Sequence, residues 1–249
     1  MHKVLYLWSL LQIFLHASSP VLVFYCGTTM VPAMEILTKK FSQKHHCTFS
    51  IRQGASGELL KTLKLARHGD LFLPGSESFY RKEDAPLFSY RRFVGYNRLA
   101  LFVSRKNPKQ IRTLQDLMKK GNYFLLGDPL MGSVGRATKK LYLRLGGTEA
   151  WHKAQARAVL FGSDSTDLLR LQKEYSCDAA INWKAAAYRP DYRGMFTPLK
   201  IPEAEAERKR LFLSRLSFSN HPVLGKLFID YVASEEGRKI MNAYGLDDE

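Results

Sequence analysis

Apolar positions along this chain alternate between two periods. Residues 21–26 form a short apolar run with strand character. From 32 to about 43, Ala33, Ile36, Leu37 and Phe41 fall on one helical face, with Pro32 suited to the first turn. Residues 47–52 alternate as a strand, Gly54-Ala55-Ser56-Gly57 reads as a turn, and 58–67 reads as a second helix carrying Leu59, Leu60, Leu63 and Leu65. A brief buried strand follows at 70–73. This is the β-α-β-α-β rhythm of a parallel sheet. A second series begins with a strong strand at 98–105. It continues with a helix at 111–119, a strand at 123–126, a helix at 135–145 closed by Gly146-Gly147, and a helix at 165–175. Strands at 178–183 and 195–200 follow, then helices near 223–233 and 235–243. No internal repeat and no Pro/Ser-rich linker interrupts the pattern. Two α/β units are therefore expected in one chain, without a flexible tether.

The N-terminus follows a different rule. Met1-His2-Lys3 is basic, residues 4–15 are almost wholly apolar, and His16-Ala17-Ser18-Ser19-Pro20 supplies small residues. These are the marks of a cleaved secretory signal. The apolar run is shorter than the ~20 residues of a spanning helix. No lipobox precedes a cysteine. The mature protein is expected to be soluble outside the cytoplasm, in a periplasm.

Composition narrows the chemistry. The 249 residues are 45% hydrophobic, enough for one large core or two modest ones. Three cysteines, Cys26, Cys47 and Cys177, cannot pair fully and read as small buried hydrophobes. No spacing resembles a metal site, His45-His46 reads as a solvated pair, and no cofactor is expected. The net charge of +15 favours anionic partners. The basic residues are scattered and no nucleic-acid motif is present, so a nucleic-acid partner is not expected.

Four segments share one local design: a strand ends, a turn of Gly, Ser or Thr follows, and a helix starts. They are Gly27-Thr28-Thr29, Gly54-Ala55-Ser56-Gly57, Gly132-Ser133-Val134-Gly135 and Gly162-Ser163-Asp164-Ser165-Thr166. A helix start exposes unpaired N–H groups and a positive dipole end, which suits anions. Hydroxyls there add neutral donors, and ligands of open α/β sheets sit at strand carboxyl ends. The plainer alternative is that these Ser and Thr residues are ordinary helix caps.

The order of these motifs resembles the periplasmic molybdate-binding proteins of ABC transporters, within the type 2 solute-binding superfamily. The resemblance spans about residues 20–245. It rests on VLVFYCGTT, QGASGELL, GDLFLPGS and DPLMGSVGRATKKLYLRLG, in that order. It implies an α/β, two-lobed periplasmic-binding-protein type 2 fold, each lobe a mainly parallel sheet flanked by helices. The implied division is a signal peptide at 1–19, lobe I at 20–98 with 199–249, and lobe II at 99–198. It further implies a monomer that clamps a tetrahedral oxyanion, molybdate or tungstate, with hydroxyls and backbone N–H groups, and serves an ABC transporter permease. Family pocket positions fall on Thr28 or Thr29, Ser56, Val134 with Ser133 beside it, and Ser165 with Thr166 beside it. The family's tyrosine position falls on Trp183, whose indole either donates to the ligand or caps the sheet as core. Asp164, Asp167 and Met30-Val31 also depart from the pattern.

Other readings stay open at this point. Sulfate, phosphate or an organic anion would suit the same donors. Arg52, Arg91, Arg92 and Arg136 are candidates for steering an anion. An exported enzyme such as a dehydratase would need a general acid or base, and Asp164 is the candidate for that role. A ferric-ion binder would need adjacent tyrosines, and no Tyr-Tyr pair occurs.

Overall fold

The computed structural model describes residues 19–206 and 208–246. The expected signal segment lies outside the described residues except for Ser19. The chain builds two five-stranded sheets, each flanked by helices, as two lobes.

In lobe I, β1 (Val21–Gly27), β2 (Thr48–Gly54) and β3 (Leu71–Leu73) run parallel, linked by α1 (Val31–His45) and α2 (Ser56–Ala66). Antiparallel strands β4 (Phe88–Asn97) and β10 (Lys209–Leu216) complete the sheet in the order β2-β1-β3-β10-β4. In lobe II, β6 (Phe124–Gly127), β7 (Leu160–Gly162) and β8 (Ala179–Trp183) run parallel. Antiparallel β5 (Leu99–Ser104) and β9 (Phe196–Lys200) follow, in the order β7-β6-β8-β5-β9. Each sheet is thus mixed: a single strand, β10 or β5, runs against the other four. The helices of lobe II are α3 (Leu114–Leu117), α4 (Ser133–Arg157) and α5 (Ser165–Glu174), while α6 (Pro222–Val232) and α7 (Glu235–Ala243) return to lobe I. The chain crosses between sheets at Arg98 and again between β9 and β10. Because β9 runs to Lys200 in the second sheet, this second crossing lies just beyond the expected 198/199 boundary.

Side-chain alternation fixes which face of each strand is buried. Leu22, Phe24 and Cys26 of β1 pack with Leu71 and Leu73 on one face, against α1, α6 and α7. Tyr25 and Phe72 point to the other face, against Leu59, Leu60 and Leu63 of α2. Burying each such side chain contributes about 1.5–3 kcal/mol. All three cysteines are free and buried; burial pushes the Cys26 thiol far above its ordinary value. Asp70, 3% exposed, holds the lobe I loops in place. Its carboxylate accepts from the Val23 N–H at 2.8 Å, the Ser219 hydroxyl at 2.6 Å and the His221 N–H at 3.2 Å.

Several expected elements shift for identifiable reasons. Helix 111–119 shrinks to Leu114–Leu117, started by a capping box between Thr113 and Asp116. Helix α4 breaks at Gly146 and Gly147, as the sequence suggested, but helix resumes beyond them to Arg157. Leu65 and Ile36, expected on buried faces, are exposed, because the buried face of α2 runs through Leu59, Leu60 and Leu63 and that of α1 through Ala33, Met34, Leu37 and Phe41. Among the described residues, no helix is long and apolar enough to cross a membrane.

Candidate functional site

The two lobes meet at the carboxyl ends of their parallel strands, and the four turns converge there. Gly27, Thr28, Thr29, Ala55, Ser56 and Gly75 from lobe I face Gly132, Ser133, Val134, Asp164, Ser165 and Trp183 from lobe II. The cavity they enclose is about 10 Å³. On the same measure one water needs roughly 10–15 Å³, so the space left between the lobes is about that of a single water. No lysine or arginine lines it among the described residues.

The helix starts differ in what their N–H groups do. The N-cap of α2 is Ala55 and that of α4 is Gly132, and neither carries a side-chain cap. Ser56 and Ser133 are the first residues inside their helices, not the caps, so their hydroxyls are released from capping. These two starts come from opposite lobes and present free first-turn donors to one cavity. The start of α5 behaves differently. Asp164 is a true N-cap, its Oδ1 accepting from the N–H of Thr166 at 2.7 Å and of Asp167 at 2.9 Å. That leaves the Ser165 N–H as the donor of this turn. Thr166 is not part of the cavity wall. Asp167 turns back to accept from the Ser163 N–H and hydroxyl. Burial would raise the Asp167 carboxyl, but these bonds and Arg170 outweigh it and hold the group below the usual carboxylate range. In the first turn, Thr28–Met30 form a short 3₁₀ segment, and the Thr29 hydroxyl donates to Met30 Sδ at 3.0 Å.

Both pocket serines are oriented by an N–H. Ser56 Oγ accepts from the Gly75 N–H at 3.0 Å, and Ser133 Oγ accepts from Trp183 Nε1 at 3.0 Å. Trp183 is 1% exposed, so the indole both fills the core of lobe II and reaches the cavity. Two buried asparagines brace these loops. Asn97 Nδ2 donates to the Gly75 carbonyl, and Asn182 Nδ2 donates to the Ser165 carbonyl, each at 3.0 Å. The sequence reading passed over Gly75, Asn97 and Asn182. The signal available for Asn182 was an amide near the end of an otherwise apolar strand; Asn97 ends the arginine-bearing β4 and carried no such signal.

The lobes touch around the cavity. Gly75 packs so closely on Ser133 that a Cβ would strike its hydroxyl, and a Cβ on Gly57 would stand 2.6 Å from the Met131 carbonyl oxygen. Arg189 donates to the Thr28 carbonyl at 3.2 Å, and the Arg136 guanidinium lies 4.3 Å above the Phe79 ring. Burial, aided by nearby Arg81, holds Arg136 below its ordinary value. Of the other arginines considered for steering, Arg91 stacks on Tyr80 and Phe212, and Arg92 pairs with Asp230. Arg52 is solvent-exposed on β2. No cluster of three His, Cys, Asp or Glu side chains suited to a metal ion occurs among the described residues.

Known proteins share this architecture. The sulfate-binding protein SubI from Mycobacterium tuberculosis H37Rv superposes with a TM-score of 0.82 at 14% identity, over 91% of this chain and 86% of that one. The periplasmic molybdate-binding protein of Azotobacter vinelandii gives 0.77 at 16% identity, over 90% and 97%. In sequence, the chain is 23% identical over 221 residues to YvgL of Bacillus subtilis (strain 168), a protein assigned as an ABC transporter substrate-binding lipoprotein; the match covers 86% of this chain and 81% of YvgL. The family model described as bacterial extracellular solute-binding protein matches residues 22–247, and the chain belongs to that family.

Proposed function

We propose that this protein captures a small tetrahedral oxyanion, molybdate or tungstate foremost, between its lobes outside the cytoplasm and delivers it as a monomer to an ABC permease. The observation that carries this reading is the pair of uncapped helix starts, α2 and α4, which face one another across a cavity of about 10 Å³. Each brings a serine hydroxyl with it. The donors are neutral, so the anion is held by hydrogen bonds and helix dipoles without fixed counter-charges.

The binding cycle follows from the geometry. With the lobes apart, the ligand meets the lobe I donors at Ser56 and the Thr28–Thr29 turn. Bending at the two crossings between the sheets, at Arg98 and between β9 and β10, brings up Ser133, the Val134 N–H and the Ser165 N–H. Water leaves as the lobes touch. Each hydrogen bond to the charged ligand contributes about 1.5–3 kcal/mol, so five or six can offset its dehydration. The closed shape is what a permease would read. Residues 1–19 would direct export.

The alternative of an exported dehydratase rested on Asp164 as a general acid or base. Its Oδ1 is engaged by two N–H groups of its own helix, which suits capping rather than proton transfer. We therefore read the protein as a binder. The test is a thermal-shift panel of molybdate, tungstate, sulfate, phosphate and chromate on the mature protein. A ligand bound only by the folded state raises the melting temperature by mass action. Stabilisation by molybdate or tungstate is expected; an unchanged melt with all five would overturn the reading.

A further inference from the structure

The two faces of the lobe I sheet are not covered alike. Helices α1, α6 and α7 pack on one of them. On the other, α2 covers Tyr25 and Phe72. Over β10 and β4 that second face stays open: Phe93, Tyr96 and Phe212 are half-buried, and Arg91 and Arg210 are exposed. Cross-strand pairing sets Phe93 beside Phe212 and Tyr96 beside Arg210. Four rings form one row, with Tyr80 6.2 Å from Phe212, Phe212 6.0 Å from Phe93 and Phe93 4.9 Å from Tyr96. Arginines lie along this row. Arg91 sits over Tyr80 at 5.4 Å and Phe212 at 5.5 Å, and Arg210 over Phe212 at 4.8 Å and Phe93 at 5.7 Å. Arg208 sits over Tyr96 at 4.3 Å. None of these residues lines the cavity between the lobes.

A guanidinium stacked on a ring uses its π face and keeps its N–H edge for acceptors. The neighbouring carboxylates are engaged elsewhere. Glu83 and Asp84 pair with Arg81, and Glu203 pairs with Arg98 and Arg208. Among the described residues, neither Arg91 nor Arg210 has a carboxylate partner. An open basin of about 690 Å³ beside the row, lined by Arg81, Lys82 and Arg91 among others, adds two further cations.

We propose that this open face of lobe I docks on anionic phospholipid headgroups and so holds the protein against the outer surface of the membrane in which its permease lies. Phosphodiester oxygens suit the stacked guanidinium edges, and the rings beneath suit the boundary between headgroups and acyl chains. The net charge of +15 adds a long-range attraction of the same sign. A purely acidic polypeptide would use the arginines but not the rings. The proposal does not depend on which anion the cavity takes, so its failure leaves the oxyanion reading intact.

The experiment sediments the mature protein with vesicles of phosphatidylcholine, alone or with about 30% phosphatidylglycerol, at about 0.1 M and about 0.5 M salt. Wild type should bind the phosphatidylglycerol vesicles at low salt, release them at high salt and leave the neutral vesicles alone. Arg91→Gln/Arg210→Gln should weaken that binding about 10–30-fold, with thermal melts to confirm folding. Arg52→Gln/Arg112→Gln removes the same charge from exposed sites off this face and should weaken it less than about threefold. Arg91→Lys/Arg210→Lys keeps the charge but loses the planar fork; it should bind at an intermediate level and serves if the Gln variant does not fold. Wild type without preference for phosphatidylglycerol, or an equal loss in the two Gln pairs, would overturn the proposal. Tighter binding to soluble polyglutamate than to the vesicles would overturn lipid as the occupant of this face.

Discussion

Gly57→Ala tests whether the observed contact between lobes is the one that grips the ligand. Gly57 is the second residue of α2, and a Cβ there would stand 2.6 Å from the Met131 carbonyl oxygen of lobe II, where ordinary contact begins near 3.4 Å. Neither atom belongs to a flexible side-chain end, so the lobes must part by about 0.8 Å at this point. A donor ideally placed at about 2.9 Å would then stand beyond the 3.2 Å limit of a good N–H···O bond. The donors affected are the Ser133 hydroxyl and the Val134 N–H. Their full loss would cost roughly 3–6 kcal/mol, and tilting at the hinge recovers part of it. We expect about 2 kcal/mol, or roughly 30-fold in Kd by calorimetry. The free protein should respond in the opposite sense. With the lobes apart there is no clash, and alanine in place of glycine in a helix gains up to about 1 kcal/mol. The unliganded melting temperature should therefore hold or rise by about 2–4 °C. Binding within threefold of wild type would refute the claim that this contact forms in the bound state. A lowered unliganded melt would show that the substitution damages lobe I itself.

Three further outcomes follow from the same structure. Ser56→Ala removes one donor to the ligand and the acceptor of the Gly75 N–H; calorimetry should show a loss of about 10–100-fold in affinity with only a small change in melting, and unchanged affinity would place the ligand elsewhere. Asp70→Ala removes the buried carboxylate that accepts three hydrogen bonds and leaves their donors unpaired; a loss of roughly 3–5 kcal/mol should lower the melting temperature by about 10 °C, and a change under 2 °C would contradict the bracing role of Asp70. Asp230 is opposed by burial but bonded by Lys226, by the Tyr90 hydroxyl at 2.5 Å and by Arg92, which together hold its carboxyl down at about 2. The unfolded chain thus binds the proton first. The stabilisation is present above about pH 4 and is lost as pH falls through about 2. The stability difference between wild type and Asp230→Asn should close over that window, and a difference independent of pH would exclude the network.

Strands β1, β3, β6 and β8 were legible because they are short, mostly buried apolar runs, and β2 because its residues alternate; the three-residue β7 was too short to stand out. Strands β4 and β10 escaped notice for a different reason. In FSYRRFVGYN and KRLFLSRL, arginines and polar residues fall on both faces among the apolar ones, and a register shift near Gly95 breaks the alternation. The turns that converge were also readable, as Gly/Ser/Thr clusters at strand ends. Their division of labour was not. Whether a serine is a cap or the residue after it depends on one position of helix register, and that position separates Ser56 and Ser133 from Asp164. Trp183 was visible as a departure from a family tyrosine. Its bond to Ser133, fifty residues away, exists only through the fold.

The central claim is that one small anion is held between Ser56 and Ser133, and calorimetric titration of wild type and the Ser56→Ala/Ser133→Ala double variant tests it most directly. Wild type should bind molybdate or tungstate at a single saturable site, one anion per chain, and the double variant should lose that binding while melting cooperatively. Wild type that gives no binding heat with any oxyanion, or a double variant that binds as tightly as wild type, would contradict the account.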